Sequence, residues 1–410
     1  WLEQAMKLSE IEKVASDQRA DLLAGEEGLP REMLARLPNV PSHALIVSGI
    51  RRCGKSTLLA QHFRRGTDFF YFNFEDLRLF DFTVKDFALL DTVIERSGSK
   101  TLFFDEIQNV EGWELFVRQK LNGHFKVAVT GSNATLLSQE LGTRLTGRHI
   151  TKELFPFSYR EFIAFTRQEA GTDSLLDYLA RGGFPDYLKT GVAEVLKFLV
   201  DDILYRDIVV RHGLRDAGGV RRLLGYILAN AARLVSPSRL TGVAGVKSAT
   251  TVLDYFALFE AAYLVSLVPR FSYSAKAQAL APKKMYVCDT GLIRAGTVAL
   301  MDDRGHLLEN LVFMHFRRRG NPVFYVSGEG GECDFVEVVS EKPERLVQVC
   351  WELTADNEGR EIGGLTGAMR FFGKKNGTIV TCGRQDRMLI DDMTIDVVPA
   401  HQFLLADAEQ

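Results

Sequence analysis

The chain has 410 residues, 46% hydrophobic and 25% charged, with 50 basic and 53 acidic side chains. That balance excludes a disordered chain, a collagen-like repeat and a disulfide-dense miniature scaffold, and the length suits two or three domains. The net charge of −3 excludes a uniformly basic nucleic-acid coat but leaves room for a local basic face.

The opening Trp1-Leu2-Glu3-Gln4-Ala5-Met6-Lys7 is mixed and polar, without a signal-peptide core, and Met6 is the expected native start. No run of about 18 apolar residues occurs, so no membrane-spanning helix is expected. The longest apolar stretch, Tyr255 to Val268, is broken by Glu260. Cys53, Cys288, Cys333, Cys350 and Cys382 are scattered with no CxxC pair, which fits a reducing cytoplasm and argues against structural zinc. Residues 1 to about 40 read as one or two helices ending near Pro41. Short apolar runs at 43–48, 69–74, 101–104 and 126–130, separated by helical stretches, predict a parallel sheet covered on both faces. From 160 to 235 apolar residues recur at three- and four-residue spacing, and 236–290 reads as short helices followed by a hairpin. Strands are expected again near 323–327, 332–338, 345–351 and 378–382. The expected division is 1–160, 161–235, 236–292 and 293–410.

Gly49-Ile50-Arg51-Arg52-Cys53-Gly54-Lys55-Ser56 fits the phosphate-loop pattern GxxxxGK[ST], between a strand and a helix starting near Lys55. The loop, with Thr57 behind it, is the expected nucleotide-binding segment. Its glycines let backbone N–H groups turn inward around phosphates, and the helix N-terminus adds partial positive charge. Lys55 is expected to reach the β- and γ-phosphates and Ser56 to ligate Mg²⁺. Thr101-Leu102-Phe103-Phe104 carries Asp105 and Glu106 at its carboxyl end, where ligands of open α/β sheets sit. Asp105 is the second expected Mg²⁺ residue, and Glu106 is expected to polarise the attacking water. The alternative is a pair of acids capping the next helix.

Strand 69–74 falls between the two motifs. This resembles the additional-strand, catalytic-glutamate branch of P-loop ATPases, in which an extra strand separates the motif-bearing ones. The guanine-reading [NT]KxD pattern is absent, since Thr151-Lys152-Glu153-Leu154 lacks the Asp, so ATP is the expected nucleotide. Thr130-Gly131-Ser132-Asn133 ends the next strand, and Asn133 or Ser132 resembles the polar sensor of AAA-type ATPases. Arg148, ahead of Arg144, is the candidate arginine finger; such a guanidinium adds about 10³–10⁵ in rate, and the alternative is an arginine bonded within its own subunit.

The order of motifs resembles one large prokaryotic family of AAA-type ATPases with a C-terminal domain of unknown function. It is carried by 51–59, Tyr71-Phe72-Asn73-Phe74-Glu75-Asp76, 105–110, 130–134, Leu145-Thr146-Gly147-Arg148, Leu154-Phe155-Pro156-Phe157-Ser158, Gly182-Gly183-Phe184-Pro185 and 284–291. The resemblance implies an α/β fold: an AAA-type P-loop parallel sheet with a helical lid, a winged-helix module and a C-terminal restriction-endonuclease-like α/β domain.

Ser238 to Val243 and Lys247 to Glu260, followed by a hairpin, look like a winged helix. Residues 231–300 hold eight basic and three acidic side chains, a surplus of five that suits phosphate contact. Lys247, Lys276, Lys283 and Lys284 are the candidate DNA contacts; the alternative is a structural or subunit contact. Within the implied nuclease-like core, Glu309 and Asp334 match the helix and strand acids, while Gln348 replaces the second acid and Cys350 the lysine. A site built this way is expected to be a degenerate scaffold. Arg317-Arg318-Arg319 is either a solvated helix end or a phosphate contact. Tyr205-Arg206-Asp207 with Arg211 either reads the γ-phosphate or forms an ion pair. The tail from Asp386, with Asp391, Asp392, Asp396, Asp407 and Glu409, is too acidic for nucleic acid. The expected protein is a cytoplasmic Mg²⁺-dependent ATPase acting on DNA, branched or junction DNA included, as a ring-shaped homo-oligomer such as a hexamer. The alternatives are a regulatory switch for a protein partner and an ATP-dependent nuclease.

Overall fold

The apolar runs of the N-terminal part become strands because both of their faces are covered. In the computed structural model, which describes residues 6–64, 68–134, 145, 147–296, 303–328 and 330–406, two compact units are formed, Trp1–Leu154 and Phe155–Gln410. The first unit is built on β1 (Ala44–Ser48), β2 (Phe70–Asn73), β3 (Thr101–Asp105), β4 (Lys126–Gly131) and β5 (His149–Glu153). Every residue of β1 and β3 is buried. All pairings are parallel, in the order β2-β3-β4-β1-β5.

Two expectations change here. The strand that separates β1 from β3 in the sheet is β4, and β2 takes the edge. The last strand, β5, has no apolar run to announce it: His149-Ile150-Thr151-Lys152-Glu153 is only half-buried and becomes a strand by pairing with β1 as the other edge. A phenylalanine cluster covers one side of the sheet, with Phe87 of helix Phe87–Ser97 and Phe116 of helix Trp113–Asn122 stacked at 4.4 Å. Helix Leu8–Ala24 adds Ile11, Val14 and Ala15 to that core. Its Gln18 donates to Asn73 O at 3.0 Å and accepts from Asn73 N at 2.9 Å, which fixes the end of β2.

The second unit begins with helices Tyr159–Thr166, Thr172–Arg181, Pro185–Thr190 and Glu194–Asp202, the last continuing as a π-helical segment to Val210. Helix Ala217–Ala229 then leads into β6 (Arg233–Val235), helices Pro237–Ala244 and Ala249–Ala261, β7 (Val265–Val268) and β8 (Lys283–Val287). These three strands form an antiparallel sheet in the order β6-β8-β7. β6 lies in the stretch that the sequence reading assigned to the lid. Helix Arg304–Arg319 precedes β9 (Val323–Gly328), β10 (Gly331–Val339) and β11 (Lys342–Val349); helix Glu358–Phe372 and β12 (Asn376–Thr381) follow. A hairpin of β13 (Asp386–Ile390) and β14 (Met393–Pro399) extends the sheet to β13-β14-β12-β11-β10-β9. The acidic tail is therefore largely strand, and its acids are paired: Asp391 with Arg370 at 3.1 Å, Asp396 with Arg387 at 2.6 Å, and Asp392 with Lys375. Asp407 and Glu409 lie outside the described residues. Among those described, no helix is long and apolar enough to cross a membrane.

Candidate active site

The phosphate loop leaves β1 at its carboxyl end and enters helix Lys55–Arg64. Gly49 is needed for space: a Cβ there would lie 2.0 Å from Leu154 O, a contact set by Leu154 N donating to Ser48 O at 2.7 Å. Arg52 and Gly54 both have positive φ, 56° and 98°, so the loop coils tightly between them. Arg51 is held by Glu75 at 2.9 Å, whereas Arg52 is exposed. Cys53 is buried and donates to Leu154 O at 3.3 Å; burial pushes its thiol up, so it packs the loop and stays protonated. Ser56 and Thr57 are half-buried in the first helical turn.

Three charged side chains converge beside the loop. Lys55 Nζ donates to Gly49 O at 3.1 Å and Ile50 O at 3.2 Å and lies 3.5 Å from Glu106 Oε1. Burial works against its charge, but Glu106, then Cys53 and Asp105, outweigh that and hold its pKa above the ordinary lysine value. Asp105 ends β3 and accepts from the Tyr71 hydroxyl at 3.0 Å, from the Thr130 hydroxyl and from the Ser56 hydroxyl. Burial and the Glu106 charge raise its pKa. Glu106 turns off the strand in the left-handed region, φ 50°, and its N–H donates to Thr130 Oγ1 at 3.1 Å. Burial favours its neutral form, but Lys55, the Gln108 amide and Arg51 outweigh burial and keep the carboxyl below the ordinary range. The arrangement thus offers an ionised carboxylate for a water molecule and a hydroxyl–carboxylate pair, Ser56 and Asp105, whose oxygens suit Mg²⁺. Tyr71, Thr130 and Gln108 were missed by the sequence reading. The signal for Thr130 and Tyr71 was a hydroxyl within an otherwise apolar strand.

Ser132 and Asn133 are both buried where β4 leaves the sheet, and Ser48 Oγ donates to Asn133 O at 3.1 Å. Arg148 stands at the opposite edge. Its carbonyl accepts from Ala44 N, at the start of β1, so a strand length of about 15 Å separates it from its own phosphate loop. Its guanidinium donates to Asn122 Oδ1 at 2.8 Å. Arg144 and Thr146 lie outside the described residues.

A family model described as an AAA domain matches residues 41–163, and one described as a domain of unknown function (DUF8612) matches residues 172–301. The uncharacterized protein MJ1544 of Methanocaldococcus jannaschii is 34% identical over 400 residues, covering 89% of this chain and 89% of that protein. The chain belongs to this family of AAA-domain proteins. An uncharacterized protein of Haemophilus influenzae is 30% identical over 335 residues, covering 75% of this chain and 82% of its own length. Among solved structures, AMPPCP-bound DnaA from Aquifex aeolicus shares 14% identity across 56% of this chain and 85% of its own, with a TM-score of 0.28, too low to bear on the fold.

In this AAA-family chain a second cluster gathers in the C-terminal part. Glu309, Asp334, Gln348 and Cys350 line one cavity of about 750 Å³. Lys284 is at its centre, donating to Asp334 Oδ1 at 2.8 Å and Glu309 Oε1 at 2.9 Å and pairing with Glu332 at 2.6 Å. This corrects its assignment as a DNA contact: on β8 the two neighbouring lysines face opposite ways, and Lys284 is buried among three carboxylates. Glu309 also accepts from the Tyr286 hydroxyl at 2.6 Å, and burial with the Asp334 charge pushes its carboxyl up to about 8. Gln348 donates to Glu361 at 2.7 Å and accepts from Asp334 N at 3.2 Å, while burial pushes the Cys350 thiol up to about 12. Lys247 and Lys276 are exposed and Lys283 is half-buried. The exposed face of helix Ala249–Ala261 carries Thr250, Leu253, Asp254 and Ala257, none of them basic.

The arginine triplet is half-buried and engaged by neighbouring groups. Arg317 lies over the Phe155 ring, Arg318 donates to Pro156 O and Phe157 O at 3.1 and 3.2 Å, and Arg319 pairs with fully buried Glu337 at 2.9 Å. Arg211 pairs with Asp207 along its own helix at 3.5 Å. Three of the family-like motifs meet in one knot: Phe157 N donates to Gly183 O and Gly183 N to Asp289 Oδ2, both at 2.7 Å, and Gly291 N donates to Asp289 Oδ1 at 2.8 Å. These motifs hold the second unit together.

Proposed function

We propose that this chain is a Mg²⁺-dependent ATP hydrolase. The observation that carries the reading is the convergence of Lys55, Ser56, Asp105 and Glu106 around one phosphate loop at the carboxyl edge of a parallel sheet. The loop amides and Lys55 bind the β- and γ-phosphates, Ser56 and Asp105 hold Mg²⁺, and Glu106 orients and deprotonates the attacking water. Mg²⁺ neutralises charge on the phosphates when bound. Ser132 or Asn133 reads the γ-phosphate. Arg148 is a strand length from its own loop but bonds Asn122 of its own chain at 2.8 Å, so a finger role toward a neighbour's nucleotide in a ring-shaped homo-oligomer requires that bond to be exchanged. The test is ATP turnover by the full chain: Glu106→Gln should bind ATP but hydrolyse it about 10²–10⁴-fold more slowly. Wild-type turnover in that variant would remove Glu106 from the chemistry.

For the output of the motor we read residues 217–287 as a winged helix, supported by the order helix, strand, two helices, strand, short helix Ala275–Leu280 and strand. Exposed Lys247 and Lys276 favour DNA as its partner. Exposed Leu253 and Asp254 favour a protein partner and a regulatory switch. DNA stimulation of ATPase with steeply salt-dependent binding supports the first; Lys247→Ala with Lys276→Ala should then lower the salt slope by about two. Salt-insensitive or absent DNA binding supports the second. The helix, three strands, helix and strand from Arg304 to Thr381 suit a restriction-endonuclease-like scaffold. Gln348 lacks the charge of a second metal-binding acid, so we read this cavity as a degenerate, structural site.

A further inference from the structure

We propose that Arg31 is a positioning residue of the nucleotide site, holding the Cys53–Gly54 peptide so that the Gly54 N–H faces the phosphates. The inference rests on reading the loop 49–56 as the nucleotide site. Arg31 comes from the N-terminal segment, far from either sequence motif, and directly precedes the short 3₁₀ turn Glu32–Arg36. Its guanidinium is only 6% exposed and donates to Cys53 O at 2.8 Å. In a trans peptide the carbonyl and the following N–H point in opposite directions. Anchoring Cys53 O on the Arg31 side therefore aims the Gly54 N–H to the other side of the loop, where a ring of inward amides makes an anion nest. Gly54 has φ 98° and no side chain, so rotation of that peptide meets little resistance unless something holds its carbonyl.

The segment that carries Arg31 is itself tied to the loop's helix. Gln61 Nε2, on helix Lys55–Arg64, donates to Glu27 O at 2.6 Å and to Leu29 O at 3.1 Å. Residues 27–31 thus form a strap that moves with Lys55 and Ser56. The Arg31 charge reaches the loop interior, where it partly offsets the upward push of burial on the Cys53 thiol. A bond from a charged donor to a carbonyl is also stronger than a neutral one, which suits a clamp on a loop that must keep its shape while phosphates exchange.

The test compares Arg31→Ala, Arg31→Lys and Lys55→Ala with wild type in the full chain. Binding of a fluorescent ATP analogue, steady-state ATPase and thermal melting are measured together. Arg31→Ala should raise Kd and KM about tenfold to a hundredfold, the loss of one charge-assisted bond, with kcat at saturation changed less than about threefold. Arg31→Lys should recover part of the affinity, and guanidinium ion at millimolar concentration should improve binding in Arg31→Ala but not in wild type. Wild-type Kd in Arg31→Ala overturns the proposal, as does a loss of affinity that neither lysine nor guanidinium restores. Wild-type nucleotide binding in Lys55→Ala overturns the site reading instead; lost binding there with an unaffected Arg31→Ala overturns this inference alone.

Discussion

Lys284 and Asp334 meet at 2.8 Å although fifty residues separate them in the chain, and both are almost wholly buried. Lys284 is the one lysine touching Glu309, Glu332 and Asp334 among the described residues, so its ammonium balances a concentrated negative charge. Removing it leaves Asp334 and Glu332 uncompensated beside the buried Glu309. Lys284→Met should destabilise the second unit by about 3–5 kcal/mol, measured by urea unfolding, because a broken buried pair costs far more than a surface one. A variant as stable as wild type would mean that water already screens the cluster.

Gly49 is the tightest point of the phosphate loop. A methyl group there meets Leu154 O at 2.0 Å, and that carbonyl also accepts from the Cys53 thiol, so it cannot retreat freely. Gly49→Ala should shift the loop by a fraction of an ångström to an ångström and lower ATP turnover by about 10²-fold. Steady-state kinetics on the purified variant checks this. Unchanged kcat/KM would show that the loop tolerates the shift.

The candidate nucleotide site was legible because its pattern is local: eight consecutive residues make the loop, and two acids end an apolar strand. The residues that complete it were not, because they come from elsewhere. Tyr71, Thr130 and Arg31 reach the site through strand order and a strap, neither of which a spacing rule encodes. The same holds for Lys284: a local surplus of basic residues could not tell a lysine that faces solvent from one that faces three acids on the next elements. β5 and β13 stayed hidden because half-buried edge strands need no apolar run.

Acid should weaken the second unit through His315. Burial, followed by Arg319, Arg318, Arg345 and Arg160, pushes this imidazole down to about 3, and its ring packs 5.3 Å from Phe403. The unfolded histidine takes up a proton near pH 6.5 but the folded one does not, so its contribution is full above 6.5 and is lost as pH falls toward 3. Asp289 acts oppositely. Burial raises its carboxyl to about 6, so from pH 6 down to 4 it takes up a proton in the folded state first and adds stability. Urea unfolding should show wild type losing about 2 kcal/mol more than His315→Phe between pH 7.5 and 4.5. Parallel pH profiles would place a charge-tolerant path to solvent at His315.

The knot of family-like motifs depends on one missing side chain. A Cβ on Gly183 would lie 2.3 Å from Phe157 O and 2.8 Å from Phe157 N, both backbone atoms, while the same residue bonds Phe157 N through its carbonyl and Asp289 through its N–H. Neither contact can be kept if the backbones part, so Gly183→Ala combines a steric clash with the exposure of a buried carboxylate. It should cost about 3 kcal/mol or more, at the upper end for an overpacked site, and lower the melting temperature by several degrees. Gly191→Ala is a control for backbone preference alone: its φ of 69° is left-handed, unlike that of Gly183, and nothing lies within 4 Å of the added methyl. It should cost only about 1–2 kcal/mol of backbone preference. Equal melting temperatures for the two variants would mean that the Phe157 backbone gives way to the added methyl and that its close approach does not explain the glycine at 183.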